Sequence, residues 1–557
     1  MATRRKSFFF LVLVLAAAVG GIGFSRWVAP TARQLGQTDL GGESKPTTDG
    51  LAQSSLTSGG QRDPEILETM PTTANGSESR DKTFGPHVNR SATFGPLRVS
   101  RENPRYFADA SGKIVVLAGS HTWTVLQDIG DENPPSALDY QEFLDFLTTH
   151  GHNFFRLWVW EQARWISSDP RDGLRFAPPI FQRPGPGMAL DGFPKFDLTQ
   201  FNDSFFDRLA SRTEQAAQRG IYVSVMLFNG WSVAKVKNPT QRGPNPWKGH
   251  PFHRQNNING IDGDQDLDDS GEESHELVVA EITELQDAYV RKVIDTVNHL
   301  DNVLYEISNE SHNASAQWQS RMVAYIRSHQ SGKPNQHPIG MTVEYPDGSN
   351  SRLFESTADW ISPKGSLDPR PPSDGSKVIL ADTDHLCGVC GDRSWAWRSF
   401  LAGENPIFMD PYDDEPIWQS LRSNLGFILQ VSRRLNMVQS VPKPQLANTG
   451  SCLADTIGPA YSYVVHVPRR RRWFSKRPAV DLKDVPSSVL LSVEWLDLDT
   501  GRSSPGESVP GGSVTEFEPP TRDETVLLIG SDLSLVTPRP ENEAQEGSTA
   551  SRRSQMR

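Results

Sequence analysis

Residues 277–312 read LVVAEITELQDAYVRKVIDTVNHLDNVLYEISNESH. The first part, Leu277–Leu300, repeats apolar side chains at three- and four-residue spacing, the period of a helix with one buried face. From Asn302 the pattern becomes a short apolar run that ends in polar residues, as a strand buried on both faces of a parallel sheet does. The same alternation recurs along the chain. Strand-like runs begin at Ile114, Asn153, Ile221, Asn302, Pro338, Asp359, Val378 and Asn405. Amphipathic segments lie among them at Leu138–Thr149 and Phe201–Arg219, and Glu415–Met437 follows the last. Eight strands, most followed by a helix, predict an α/β fold of the (β/α)8 or TIM-barrel type. The sixth strand is short, and a Pro- and Gly-rich stretch replaces its helix. A doubly wound open sheet shares the alternation. It carries a Gly-rich phosphate loop after its first strand, and Ala118-Gly119-Ser120-His121 is not one.

Outward from this core, residues 94–440 form the expected barrel domain. It opens with a hairpin cap built from Leu97–Ser100, Arg105–Ala108 and a third short strand after Gly112. After Pro444 the texture turns all-β. Short runs at Ser462–Val467, Val489–Trp495, Gly512–Phe517 and Thr525–Ile529 predict a small antiparallel β-sandwich over residues 445–535. Residues 30–93, rich in Thr, Gly, Ser, Pro and Gln, and the polar tail 538–557 are expected to be disordered. At the start, Arg4-Arg5-Lys6 precedes the apolar run Phe8–Phe24. A basic segment before an apolar one is an export signal. Ala16-Ala17-Ala18 offers a cleavage site, whereas Arg26 and Trp27 suit an uncleaved anchor. Residues 1–29 are therefore expected to deliver an extracellular or periplasmic protein, or to hold it at the membrane through residues 8–24.

Composition narrows the function classes. The 557 residues carry 56 Lys and Arg against 68 Asp and Glu, a net charge of −12. That argues against a nucleic-acid partner, which asks for a basic surface to displace phosphate counterions. Mean hydropathy of −0.50 excludes a polytopic membrane protein. Three cysteines exclude a disulfide scaffold and a multi-cysteine zinc module. The 14 Trp and 26 Phe suit a protein that binds flat, half-apolar ligands such as sugar rings.

In a (β/α)8 barrel the chemistry sits at the C-terminal strand ends. Those ends carry His121-Thr-Trp123, Arg156-Leu-Trp158-Val-Trp160, Asn229-Gly-Trp231, Asn309-Glu310, Glu344-Tyr345, Asp382-Thr-Asp384-His385 and Asp410. Carboxylates on strands four and seven face each other across a barrel mouth. Glycosidic bond hydrolysis needs such a pair: one carboxyl donates a proton to the leaving oxygen, and the other attacks the anomeric carbon or activates water. No metal and no cofactor is expected, and the expected partner is an oligo- or polysaccharide bound by a monomer.

At Tyr305-Glu-Ile-Ser-Asn-Glu310 the chain resembles the clan A retaining glycoside hydrolases, the cellulase-like (β/α)8 enzymes. Leu117-Ala-Gly-Ser-His-Thr-Trp123, Asn256–Asp262, Asp382-Thr-Asp-His385 and Asn405–Asp410 extend the resemblance over about residues 94–440. The C-terminal domain is similar to a small domain type that carries a collagen-binding label, through Ala460–Val465, Val493-Glu-Trp495 and Asp499-Thr-Gly501. The resemblance implies that Glu310 is the general acid/base, that Asn309 bonds the sugar 2-hydroxyl and that Arg156 braces the nucleophile. The clan has Glu as nucleophile on strand seven. Here Asp382 takes that place, with Asp384 on the same face as the alternative. His121, Trp123, Trp160, Tyr345 and His385 complete the expected substrate-binding set. Because Asp is one methylene shorter than Glu, the carboxyl separation leaves retaining and inverting outcomes both open. A catalytically silent, carbohydrate-binding barrel is the competing expectation.

Three further motifs have plain readings. Cys387-Gly-Val-Cys390 is either a local disulfide or two free thiols. Asp262–Glu273 nearly fits a calcium loop, but Leu267 stands where the turn asks for Gly, so a solvated acidic loop is expected. Arg469–Arg472 with Lys476 and Arg477 reads as a hairpin tip, with a contact to an anionic glycan or the cell surface as the alternative.

Overall fold

The computed structural model describes residues 93–166, 173–234, 245–367, 373–469 and 476–533. The export segment, nearly all of the tether, Arg470–Arg472 of the basic run and the C-terminal tail lie outside the described residues. No helix among the described residues is long and apolar enough to cross a membrane.

Eight parallel strands form one barrel sheet: β1 (Gly119–His121), β2 (Phe154–Leu157), β3 (Tyr222–Asn229), β4 (Val303–Asn309), β5 (Ile339–Thr342), β6 (Trp360–Ser362), β7 (Val378–Asp382) and β8 (Asn405–Met409). Their hydrogen-bonded order runs 1-8-7-6-5-4-3-2. The seam between β1 and β2 is closed by Asn153. Its amide nitrogen donates to the Ala118 carbonyl at 3.1 Å, its Oδ1 accepts from Ala118 N at 3.0 Å, and its Nδ2 donates to the Val116 carbonyl at 2.8 Å. Gly119 makes the close approach feasible, because a Cβ there would meet the Phe154 carbonyl oxygen at 2.0 Å. The first barrel strand therefore starts later than the pattern predicts. Ile114–Val115 instead pairs antiparallel with Phe107–Ala108, which pairs with Arg98–Val99, as the third strand of the cap. Leu97 and Phe107 of the cap join one buried cluster with Phe154, Tyr222, Leu304, Trp360 and Val378 at the starts of the strands. The N-terminal end of the barrel is thus plugged, and the chemistry is left to the other end.

Among the described residues, seven helices of more than one turn follow the strands or lie between them: α1 (Tyr140–Thr149), α2 (Asp203–Gln218), α3 (Ala280–Val297), α4 (Ala316–Gln330), α5 (Asn350–Glu355), α6 (Arg393–Leu401) and α7 (Pro416–Ser432). Asp139, Asn202 and Asp392 cap α1, α2 and α6 by accepting from first-turn amides. Pro416 opens α7, where its missing N–H costs nothing. In α3, Ile282, Tyr289, Val290, Val293, Ile294 and Val297 form the buried stripe that the spacing of Leu277–Leu300 announces.

The C-terminal region is an antiparallel sheet whose central strands are β9 (Cys452–Asp455), β10 (Ser462–Val467), β11 (Leu490–Asp497) and β12 (Thr525–Gly530), in the order 9-10-12-11. Alternation sorts its side chains. Tyr463, Val465, Val493, Trp495, Leu527 and Ile529 pack under a two-stranded ribbon of Ala479–Asp481 and Val514–Glu516. Val464, Leu496, Val526 and Leu528 share a core with Trp397 and Phe400 of α6 and Leu425 and Ile428 of α7. The sheet therefore has a ribbon on one face and the barrel helices on the other, where a sandwich would have a second full sheet.

Candidate active site

Arg156 projects from β2 into the C-terminal end of the barrel and is 2 % exposed. Its guanidinium is a hub. Nε and Nη2 donate to the two oxygens of Glu306 on β4 at 3.0 and 2.5 Å. Nη1 donates to Asp382 Oδ2 at 3.1 Å and to Asp384 Oδ2 at 2.8 Å, and Nη2 to Asn309 Oδ1 at 2.7 Å. The face of the cation rests on Trp158, 4.9 Å from its ring centroid. The planar fork of Arg can serve several carboxylates at once, as a Lys point charge cannot.

Asp382 ends β7. It accepts from His121 Nε2 at 3.0 Å and from the Asp384 amide at 3.0 Å, besides Arg156. Burial opposes its charge, but His121 and Arg156 outweigh burial and hold its carboxyl well below the usual range. Trp158 Nε1 donates to His121 Nδ1 at 2.8 Å. His121 therefore carries its proton on Nε2, toward Asp382. The Asp382 side chain also caps the short turn Thr383–His385, which carries Asp384. Burial, and then the charge of Asp382, raises the Asp384 carboxyl against the pull of Arg156. His385 donates from Nε2 to Asn309 Oδ1 at 3.1 Å and accepts on Nδ1 from the Ser362 hydroxyl at 2.7 Å. Burial, with Arg156 close by, pushes the His385 imidazole down to about 3, which agrees with a neutral ring. Asn309 Nδ2 is buried and has no hydrogen-bond partner.

Glu310 lies across from this cluster, just past the end of β4. Its backbone is left-handed, with φ of 47°. Its Oε2 accepts from Trp231 Nε1 at 2.8 Å. Burial, and after it the charge of Asp384, pushes the Glu310 carboxyl far above the ordinary range; Trp231 and Arg156 offset only part of this. Arg156 thus donates to three carboxyls, Glu306, Asp382 and Asp384, while the carboxyl it does not touch, Glu310, is pushed far above its ordinary range. Tyr345 lies beside Trp231, ring centroids 5.7 Å apart. Burial, and then Glu310, raises its hydroxyl pKa.

The fold thus brings Glu310, Asp382, Asp384, Arg156, Asn309, His121, His385 and Tyr345 into one place. It does not bring Trp123 and Trp160 there as sugar platforms. They are 1 % and 2 % exposed, Trp160 Nε1 donates to the Trp123 carbonyl at 3.1 Å, and the Trp160 ring packs on Phe176 and Trp165 behind Trp158. The site also uses Trp158, Trp231 and Ser362. Trp158 and Trp231 stand at strand ends and were open to the same reading, whereas Ser362, on a three-residue strand, gives no signal in the sequence. Cys387 and Cys390 form a disulfide directly after the turn that carries Asp384. In the acidic loop Leu267 adopts the left-handed turn, φ 61°, that a Gly would take. Glu273 accepts there from the amides of Gln265 and Asp266, and Asp264 from that of Asp268.

No family model matches the chain, and no curated protein matches it in sequence. Solved structures do. A Bacteroides vulgatus ATCC 8482 protein provisionally named a glycoside hydrolase superposes with a TM-score of 0.50 at 13 % identity, over 78 % of this chain and 82 % of its own. A glycoside hydrolase family 5 protein of the same organism gives 0.49 at 12 %, over 78 % and 93 %. A family 5 mannosidase from Rhizomucor miehei gives 0.36 at 16 %, over 62 % and 85 %. At such identities it is the barrel fold that is shared.

Proposed function

We propose that this protein is a glycoside hydrolase acting on an oligo- or polysaccharide, with Glu310 as general acid/base and a strand-seven carboxylate opposite it. One observation carries the reading: across the barrel mouth Glu310, whose carboxyl is pushed up to about 8, faces Asp384, pushed up only to about 6 beside Arg156, and Asp382, held well below the usual range. Two acids whose surroundings push their pKa values apart are what glycosidic cleavage requires. A silent binding barrel has no need to keep Glu310 neutral among three other carboxyls. Trp231 occupies Oε2 of Glu310, so Oε1 is left to carry the proton. The unpartnered Nδ2 of Asn309 supports a contact to a sugar hydroxyl.

Within the strand-seven pair, the hydrogen bonding favours Asp384 as the attacking group, the reverse of the order that the strand pattern suggests. Asp382 spends its oxygens on His121, Arg156 and the Asp384 amide. Asp384 gives Oδ2 to Arg156. On this reading Asp384 Oδ1 bonds to the anomeric carbon as the glycosidic C–O bond breaks, and the leaving oxygen takes the Glu310 proton. Water then attacks the same carbon, Glu310 recovers a proton from it, and Asp384 departs as carboxylate with configuration retained. Secretion is part of the proposal. It rests on Arg4–Phe24 and is supported by the Cys387–Cys390 disulfide, a bond that persists in oxidising compartments. The test is incubation with plant, algal and microbial glycans and measurement of new reducing ends, with Glu310→Gln as control. Cleavage absent from every glycan, or undiminished in Glu310→Gln, refutes the assignment.

A further inference from the structure

Ser311 follows the candidate acid directly, and its hydroxyl starts a chain of buried hydrogen bonds. Ser308 and Ser311 Oγ lie 2.6 Å apart. Ser311 Oγ is 2.9 Å from His275 Nδ1, and His275 Nε2 is 3.2 Å from Glu161 Oε1. Glu161 Oε1 also accepts from the Asn229 amide at 2.9 Å, and His250 Nε2 lies 3.5 Å from Oε2. Ser311, His275 and Glu161 are 1 %, 0 % and 4 % exposed. The chain has a direction. An ionised Glu161 can only accept, so His275 donates from Nε2. In the neutral ring its Nδ1 then accepts from Ser311, whose oxygen is free to accept from Ser308. The plane of the His275 ring is set by Trp318, on which it stacks at 4.5 Å and 6°.

A serine, a histidine and a carboxylate in line also make a nucleophile. That reading fails here, because the serine is buried at 1 % exposure and its hydroxyl is already held between Ser308 and His275. A brace is what the position calls for. Glu310 holds a left-handed backbone, which is costly for a non-glycine residue and persists only when neighbours enforce it. Gly230 makes room for that backbone: a Cβ there would lie 2.3 Å from the Glu310 carbonyl oxygen and 2.6 Å from Ser311 Cα. Asn229, Gly230 and Trp231 are consecutive. Glu161 takes the amide of the first, the second admits the Glu310 backbone, and the third donates to the Glu310 carboxyl.

We infer that Glu161, His275 and Ser311 form a positioning relay, in which one buried anion fixes both the backbone of Glu310 and the strand end that bears its indole partner. The inference rests on Glu310 being the acid. Its test compares two substrates: the oligosaccharide that the wild-type protein cleaves, and the 2,4-dinitrophenyl glycoside of the same sugar, whose leaving group departs unprotonated. Ser311→Ala should lower kcat on the oligosaccharide by roughly tenfold or more with KM changed less than about twofold. On the aryl glycoside kcat/KM, which reports bond cleavage alone, should fall under about threefold, because that step does not need the acid. His275→Asn, which keeps an acceptor for Ser311, should recover most of the activity that His275→Leu loses. Equal loss on both substrates, or no difference between Asn and Leu at 275, overturns the relay. A crystal structure of Ser311→Ala provides a readout without activity. Glu310 should leave its left-handed φ or lose its Trp231 contact, and retention of both overturns the relay even if no glycan is cleaved and the hydrolase assignment falls.

Discussion

Trp231 donates its indole N–H to Oε2 of Glu310 at 2.8 Å, and it is the hydrogen bond that ties the candidate acid's carboxyl to the neighbouring strand end. A donor to a carboxylate favours the charged form, so this bond lowers a pKa that burial raises. Trp231→Phe removes the donor and keeps an aromatic ring beside Tyr345. A hydrogen bond to a charged group is worth about 1.5–3 kcal/mol, or roughly one to two pKa units. Cleavage that needs a protonated acid falls as pH rises through the pKa of Glu310. The alkaline limb of kcat/KM should therefore move to higher pH in Trp231→Phe, with a lower plateau. A limb that stays in place or moves to lower pH contradicts the assignment.

Asp384 and Asp382 are separable by rescue chemistry. Asp384→Ala should cut turnover by about 10^4-fold or more, a loss typical of a removed nucleophile. Azide should restore activity and give a glycosyl azide of inverted configuration. Asp382→Ala should also be impaired, because His121, Arg156 and the Asp384 amide lose their acceptor, but azide should not help it. Rescue confined to Asp382→Ala exchanges the roles. A wild-type product of inverted configuration makes the strand-seven acid a general base.

Arg156 balances buried carboxylates, and that makes a pH-dependent prediction about stability. Burial opposes its charge, but Glu306, and then Asp382 and Asp384, outweigh burial and raise its pKa further. Arg156→Met leaves those acids without their cation. Breaking a buried pair from one side costs about 3–5 kcal/mol. Asp382 is depressed in the folded wild type, so its contribution is present above the ordinary Asp range and is lost as pH falls through the depressed value. In the variant the acids take up protons at higher pH than in the wild type. The gap in urea-unfolding free energy between variant and wild type should therefore be widest near neutral pH and narrow on acidification. A gap that is constant from pH 7.5 to 4.5 shows that the carboxylates do not depend on Arg156.

The fold was legible where a strand is a long unbroken apolar run, as at Tyr222–Asn229 and Val303–Asn309. It was misread at Ile114, because two β-branched residues suit a cap strand as well as a barrel strand, and only Gly119 against Phe154 shows where the barrel begins. Glu310, Arg156, Asn309 and the strand-seven acids were legible because strand ends converge in a barrel whatever the loops do. The tryptophans were not. In Arg156-Leu-Trp158-Val-Trp160 the alternation of a strand puts both tryptophans on the face of Arg156, yet β2 stops at Leu157, and beyond it the period of two no longer sets direction. The Glu161–His275–Ser311 contacts join three segments distant in the chain, so no local pattern could announce them.

The sheet under α6 and α7 makes a last prediction, about the whole molecule. Glu524, at the edge of β12, accepts from His466 Nε2 at 2.6 Å, from the Ser394 hydroxyl and from Arg393 Nε at 2.9 Å. Arg434, just past α7, donates to both oxygens of Glu494 on β11, at 2.8 and 2.7 Å. These bonds flank a shared apolar core, so the barrel and the sheet should unfold together in a single transition. Burial opposes the charge of Glu524, but its hydrogen bonds to His466 and Ser394 hold the pKa down at about 2. Its contribution is therefore full above the ordinary Glu range and declines as pH falls toward 2. Glu524→Ala removes the acceptor and leaves the buried His466 and the half-buried Arg393 without it, at a cost of about 1–3 kcal/mol. The variant should unfold in one transition at lower urea, with its deficit shrinking below pH 4. Limited proteolysis of the wild type should release no intact barrel by early cleavage near Pro444. Early release of a barrel fragment, or a second unfolding transition in the wild type, would show that the two parts are independently stable.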